Sequence, residues 1–282
     1  MIDNTIRFSF GKNWQSFLNK ALTPQRVDEA VDSLRYLFEV NNFESQTFLD
    51  IGCGSGLFSL AARKLGASVH SFDVDPLSVA CTNELKNRYF PKDEKWGIEK
   101  GDILDVDYLK SLGQFDIVYS FGVLHHTGAM RQALENVVPL LAEGGKLFIS
   151  IYNNQGFASH VWTGFKKFYN RSSRPIKWLM VLCVGAYFEF RWMIARLIRY
   201  RNPLTLKYWP EKKKNRGMSV WHDLVDWVGG YPFEVAKPEE IFDFYRMRGF
   251  ELVKLKTCAG GIGCNEYVFV RRQKDINKRM QE

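Results

Sequence analysis

The stretch Phe48-Leu49-Asp50-Ile51-Gly52-Cys53-Gly54-Ser55-Gly56 decides how the rest of the chain is read. Phe48, Leu49 and Ile51 read as a short buried strand. Gly52, Gly54 and Gly56 keep side chains out of the turn that follows. The next run, Leu57 to Gly66, carries apolar residues at helical spacing. Strand, glycine turn and helix N-terminus together bring backbone N–H groups close to a ligand. A dinucleotide fingerprint would read G-x-G-x-x-G, with a pyrophosphate on the helix dipole. Here the order is acid-x-G-x-G-x-G, and a carboxylate at Asp50 would repel a pyrophosphate while suiting a cationic ligand.

Downstream, strands and helices alternate. Val69, Ser71 and Phe72 make a second strand ending at Asp73, at close to the interval where an acid binds ribose hydroxyls. Asp75 is the rival, since D-x-D-P leaves both acids at the strand tip; Asp73 is preferred, and Pro76 suits the first turn of the next helix. KWGIEKGDILD is a third strand with its exit, and Asp105 could cap the helix after it. FDIVYSFGVLHHT is a fourth strand, apolar enough to be buried on both faces. Its tip, Ser120 to His126, should open over the ligand, because parallel sheets bind beyond the carboxyl ends of their strands. Only one of the paired histidines can point into a site there. MRQALENVVPLLAEGGKLFISIYN reads as a helix ended by Gly144 and Gly145, then a fifth strand whose exit holds Asn153, a candidate substrate contact. The alternation gives an α/β fold, a doubly wound, mostly parallel sheet. PEEIFDFYRMRGFELVKLKT and EYVFVRR supply the last helix and two more strands.

The acid-and-glycine motif resembles that of the class I S-adenosylmethionine-dependent methyltransferases, closely over residues 46–155 and by pattern over 236–272. Val123-Leu124-His125-His126 is most similar to the quinone-biosynthesis and small-molecule groups of that family. The resemblance implies a seven-stranded Rossmann-like sheet with an antiparallel pair at its edge. It implies S-adenosylmethionine as cofactor, with Asp50, Gly52, Gly54 and Gly56 along its amino acid and ribose. Asp73 would take the ribose, Asp102 the adenine amino group and Ile103 the ring, with Ser120 at the fourth strand tip. The first 45 residues would form a helical lid, with Phe10 and Trp14 as lid aromatics. The reaction implied is transfer of a methyl group, to oxygen by preference, on a small-molecule or lipid-linked acceptor. A cofactor-binding protein without catalysis and an RNA methyltransferase are the alternatives, and no motif requires a metal.

The resemblance fails in a helical insertion, residues 157–235, set between a core of 46–156 and a closing segment of 236–272; a charged tail, 273–282, follows. From Ile176 to Ile198 the insertion is apolar, but Lys177, Glu189, Arg191 and Arg196 weigh against a membrane-spanning helix. Basic residues at its flanks (Lys166, Lys167, Arg171, Arg174, Arg199, Arg201, Lys212, Lys213, Lys214) suit an interfacial helix at a membrane periphery. The preferred alternative packs this face on the sheet or on a second subunit. Further on, His222 and Asp226 are four residues apart, so the carboxylate could orient the imidazole as a general base. His125 is the other catalytic candidate, and Trp227 and Tyr231 are candidate substrate contacts. Asn265 and Glu266 close a glycine-rich loop, CAGGIGCNEY, of ligand-approaching composition.

Composition sets the outer bounds. Of 282 residues, 46% are hydrophobic and 25% charged, as in soluble globular proteins. A net charge of +8 suits an acidic partner, although no recognisable nucleic-acid module appears. Five cysteines without C-x-x-C spacing fit reduced thiols, and the first residues lack a signal-peptide pattern. A cytoplasmic protein is expected.

Overall fold

A computed structural model describes residues 7–201 and 220–273. Lys212, Lys213, Lys214 and the tail from 274 lie outside the described residues. The first two helices are α1 (Phe10–Lys20) and α2 (Pro24–Phe38), the latter capped by Thr23, which accepts from the amide of Arg26. The core then alternates: β1 (Thr47–Ile51), α3 (Leu57–Lys64), β2 (Ser68–Asp73), α4 (Pro76–Tyr89), β3 (Trp96–Lys100), α5 (Val106–Leu112), β4 (Phe115–Phe121), α6 (Met130–Val137) and β5 (Leu141–Tyr152). The insertion supplies α7 (Phe157–Arg171), α8 (Arg174–Tyr200) and α9 (Val220–Gly229). The chain closes with α10 (Pro238–Arg246), β6 (Phe250–Lys256) and β7 (Cys264–Arg271).

The seven strands form one sheet in the order β3-β2-β1-β4-β5-β7-β6, with β7 antiparallel to both β5 and β6. This is the doubly wound α/β sheet with the antiparallel edge that the sequence predicts. The strand order reverses between β1 and β4, and ligands of open parallel sheets bind at that crossover. One face is covered by Phe17 of α1, the apolar side of α2, and α3. The other is covered by α5, α6 and α10.

Two expectations are revised. Residues 1–45 are not a lid throughout: α2 packs on α3 as part of the core, and only α1 lies over the turn region. The glycine pair does not end α6. That helix stops at Val137, where Val138-Pro139-Leu140 forms a single 3₁₀ turn, because proline lacks the donor that would continue it. Gly144, at φ +74°, lies within a long β5 at an irregularity where the register with β4 shifts.

Candidate active site

A cavity of about 410 Å³ opens at the carboxyl ends of β1, β2 and β4. Its acidic wall is Asp73, Asp75 and Asp102, and its apolar wall includes Ile51, Phe72, Ile103, Leu104 and Phe121. Phe8, Phe10 and Trp14 close it from the N-terminal side, with Arg7 as the basic group in the lining; Tyr231 and Pro232 reach it from the insertion. Gly52 is the one motif glycine in the lining. The other two serve close packing. A Cβ on Gly54, at φ +56°, would come within 2.9 Å of the Trp14 indole nitrogen, so α1 seats directly on the turn. Gly56 caps α3 in the left-handed region.

Asp73 holds the turn together. Its Oδ2 accepts from the amide of Gly54 at 3.0 Å and its Oδ1 from the amide of Asp75 at 2.8 Å. Burial pushes its pKa up to about 6, against the two amide bonds that lower it. A carboxylate has about four lone-pair positions, so two backbone donors leave capacity for more. Asp75 is committed otherwise: it caps α4 through the amide of Leu77 and accepts from the amide of Gly11 at 3.0 Å. Asp102 accepts from the amide of Leu104 through one oxygen only among the described residues, and Ile103 beside it is buried. Asp105 caps α5.

Several candidate residues stand elsewhere. Asp50 does not reach the cavity. It shares a strand face with Phe48, beneath α3, and accepts from Ser59 Oγ at 2.5 Å; Ser71 in turn donates to Ser59, and Trp96 Nε1 to Ser71. Burial pushes its pKa up to about 7. Asp50 therefore ties strand to helix instead of facing a ligand. Ser120 is also buried away from the lining, its hydroxyl donating to the carbonyl of Ile51 at 3.4 Å; Phe121, Gly122 and Val123 line the cavity in its place.

Of the two histidines, His126 is the one in the lining, and His125 is packed behind it against Tyr152, ring centroids 4.2 Å apart. His126 Nδ1 donates to the carbonyl of Pro232 at 2.5 Å, which leaves the lone pair on Nε2. Burial pulls its pKa down to about 3 and that of His125 well below the usual range, so both rings are neutral. Spacing alone could not choose between adjacent residues at a strand tip.

The His222–Asp226 pair does not form. Asp226 accepts from the side chain of Asn13 at 2.8 Å, and the same amide donates to the carbonyl of His222 at 3.0 Å, which pins α1 to α9. The His222 ring stands edge-on to Phe17, and neither residue lines the cavity. Asn153 is also spent structurally: it donates to the carbonyl of Gly261 and accepts from Asn265, fastening β5 to the glycine-rich loop. Of the two candidate substrate contacts, Tyr231 lines this cavity and Trp227 lines a second one. That cavity, about 390 Å³, lies among Phe188, Arg191, Trp192 and Ala195 of α8, Trp227 of α9, and Ile262 and Gly263 of the glycine-rich loop.

Lys166 is the residue that sequence reasoning misplaced most. It is fully buried, not a surface cation: its Nζ donates to the carbonyl of Trp227 and sits over the rings of Trp227, Phe233 and Tyr152 at 4.7, 4.7 and 5.7 Å. Burial pulls its pKa down to about 7, with Cys264 and Asp226 acting in the opposite sense. The Tyr152 ring lies 5.5 Å from that of His126. A continuous line of contacts, His126–Tyr152–Lys166–Trp227, thus joins the linings of the two cavities.

Known proteins match this architecture. Residues 49–147 match the family model described as "Methyltransferase domain". The span contains the glycine turn, Asp73, Asp102 and both histidines. The similarity is to methyltransferase domains, and it runs from β1 into β5. A ubiquinone biosynthesis O-methyltransferase of Coxiella burnetii is 30% identical over 131 residues, 46% of this chain and 53% of its own length. A tRNA U34 carboxymethyltransferase of an Enterobacter species is 30% identical over 117 residues, 41% of this chain and 35% of its own. The chain thus spans about half or less of the length of these relatives. Among solved structures, the magnesium protoporphyrin IX methyltransferase of Synechocystis, with bound SAH, superposes with a TM-score of 0.53 at 15% identity. The match covers 92% of this chain and 93% of that one, so the two share a fold at low sequence identity.

Proposed function

We propose that the protein transfers a methyl group from S-adenosylmethionine to a small-molecule or lipid-linked acceptor, with oxygen as the preferred methylated atom. The observation that carries this reading is Asp73: a desolvated carboxylate in the cavity wall, held by the glycine turn, with acceptor capacity left over. Such a group fits a ligand with paired hydroxyls, and Asp102 with Ile103 fits a flat ring bearing an amino group. Three carboxylates against one guanidinium in the lining also favour a cationic ligand over a pyrophosphate.

The cofactor supplies an electrophilic methyl carbon on a positively charged sulfur. The protein's own residues position and dehydrate. Phe10 and Trp14 exclude water on the α1 side, while Asn13 and Gly11 hold that helix down on α9 and α4. Positioning and desolvation of this kind can supply most of the acceleration of a displacement. His126, neutral with a pKa near 3, is a weak base at pH 7, so the reading asks for an acceptor that needs little help losing its proton. The second cavity, apolar apart from Arg191, supports an acceptor with an apolar body.

The test is transfer of tritiated methyl from S-adenosylmethionine into cell extract separated into lipid, small-molecule, RNA and protein pools. Label in the lipid or small-molecule pool is expected. Binding of S-adenosylhomocysteine with no labelled pool would reduce the reading to a cofactor-binding protein. Label in the RNA pool would establish the second reading, which the +8 charge favours.

A further inference from the structure

Helix α8 is 27 residues long, roughly 40 Å at 1.5 Å per residue. It packs on the rest of the protein along one flank, where Met180, Val181 and Val184 meet Tyr169 of α7 and Val228 of α9. It does not lay its apolar face on the sheet. An 18-residue window within Arg174–Ile198 has a mean hydropathy of 1.4, yet only 17% of it is buried. Leu179, Leu182, Phe190, Ile194 and Leu197 are exposed at spacings of three, four and eight, a stripe along the outward side. Trp178, Tyr187, Trp192 and Tyr200 are exposed alongside, amphipathic rings of the kind that settle at a water–lipid boundary.

Charge says what covers the stripe. Residues 157–201 hold nine Lys and Arg against a single acid, Glu189, which pairs with the buried Arg196. Arg171, Arg174, Arg191 and Arg201 are exposed, and Lys177 is partly so. A second copy of the chain docked by the same face would set these cations against each other with no acid to answer them. A bilayer of anionic lipid answers them directly. Spanning is disfavoured, because one flank of the helix is docked on α7 and α9, and because Glu189 and Arg191 fall past its middle.

We infer that α8 lies flat in the surface of an anionic membrane, with its apolar stripe in the lipid and its arginines among the headgroups. This holds whatever the acceptor is, since it rests on α8 alone. It also places Arg191 and Trp192, which line the second cavity, at the lipid boundary.

The experiment uses the full chain with vesicles of phosphatidylcholine and phosphatidylglycerol at seven to three, and vesicles of phosphatidylcholine alone. Cosedimentation at least tenfold stronger with the anionic vesicles is expected. The triple variant Leu179→Glu, Phe190→Glu, Ile194→Glu should lose that binding at least tenfold while keeping its melting temperature and its affinity for S-adenosylhomocysteine. Should the variant melt early, quenching by brominated lipid decides on the native chain: Trp178→Phe must remove part of the quenched signal. Three outcomes overturn the inference. One is vesicle binding that the folded variant retains. Another is a wild-type dimer in sedimentation equilibrium that the variant dissolves. The third is Trp178 fluorescence indifferent to brominated lipid. Failure of methyl transfer would leave all these readings in place, so the two proposals fail separately.

Discussion

The carboxyl edge of the sheet and the helical insertion solve opposite problems. At the sheet edge, polar side chains near the turn are answered from within the chain: Asp50 by Ser59, Asp75 by the amides of Leu77 and Gly11, Asp73 by the amides of Gly54 and Asp75. The spare acceptor capacity of Asp73 and Asp102 faces a cavity of small-molecule size. In the insertion, α7 and α9 are anchored, but α8 turns most of its apolar surface outward. An edge that satisfies itself can be specific for one small ligand. A helix that does not must meet something much larger. The same chain therefore separates cofactor recognition from attachment to its surroundings, and substitutions in the two regions should have separable effects.

The largest effect belongs to the sheet edge. Asp73→Asn removes the charge from the cavity wall while keeping the shape, and loses acceptor capacity towards Gly54, Asp75 and ligand hydroxyls together. A charge-assisted bond is worth about 1.5–3 kcal/mol, so affinity for S-adenosylhomocysteine should fall on the order of 100-fold by calorimetry. The α8 triple variant should leave that affinity unchanged. If Asp73→Asn bound normally and the α8 variant did not, the division between the regions would be wrong.

Gly54→Ala should come next. The residue sits at φ +56°, where a side chain costs about 1–2 kcal/mol, and the new Cβ would press on the Trp14 indole at 2.9 Å. Affinity should drop by about tenfold and the melting temperature by several degrees, both checked on the purified protein. A larger loss of affinity than of stability would mean that α1 contributes to the ligand site beyond covering it.

How much of this was readable from the chain follows the same division. The alternation of strands and helices was legible because apolar runs, glycine turns and helix caps impose short-range periods, whereas the antiparallel edge came from the family resemblance alone. Asp73 was legible for a related reason: a strand tip fixes direction, so a residue there lands at the carboxyl edge, and the family resemblance pointed to Asp102 and Ile103, which also line the cavity. Asp50 was legible in position but not in orientation, since a strand residue faces one side or the other and α3 claims its side. His222 and Asp226 had helical spacing, but Asn13, more than 200 residues away, took the hydrogen bond. Lys166 looked like one cation among many. Only the convergence of Tyr152, Trp227 and Phe233 from separate segments makes it a buried one.

Asp50→Asn sharpens the comparison within the sheet edge itself. Its carboxyl titrates near 7 in the folded protein against 3.8 ordinarily. Between those values the folded state keeps a proton that the unfolded chain has lost. Stability contributed by this group is therefore full below pH 3.8 and declines as pH rises towards 7. The Asn variant should show a flatter melting temperature across pH 4–7, and should bind S-adenosylhomocysteine within about threefold of wild type.

The smallest expected effect concerns His126, and it separates positioning from proton transfer. With burial holding its pKa near 3, His126 does not change charge between pH 5 and 8. Among the groups lining the cavity, an acid limb of cofactor binding in that range falls instead to Asp73, whose pKa burial pushes up to about 6 and which cannot accept from two hydroxyls once protonated. An asparagine at 126 can still donate to the Pro232 carbonyl as Nδ1 does now. His126→Asn should thus change affinity for S-adenosylhomocysteine by less than about twofold and leave the limb near pH 6 where it was. Asp73→Asn should erase the limb. A limb near 6 that vanished with His126 and survived the loss of Asp73 would assign the titration to the imidazole. The cavity would then have to be wetter than its apolar wall implies, because only solvation could return a buried histidine to that range.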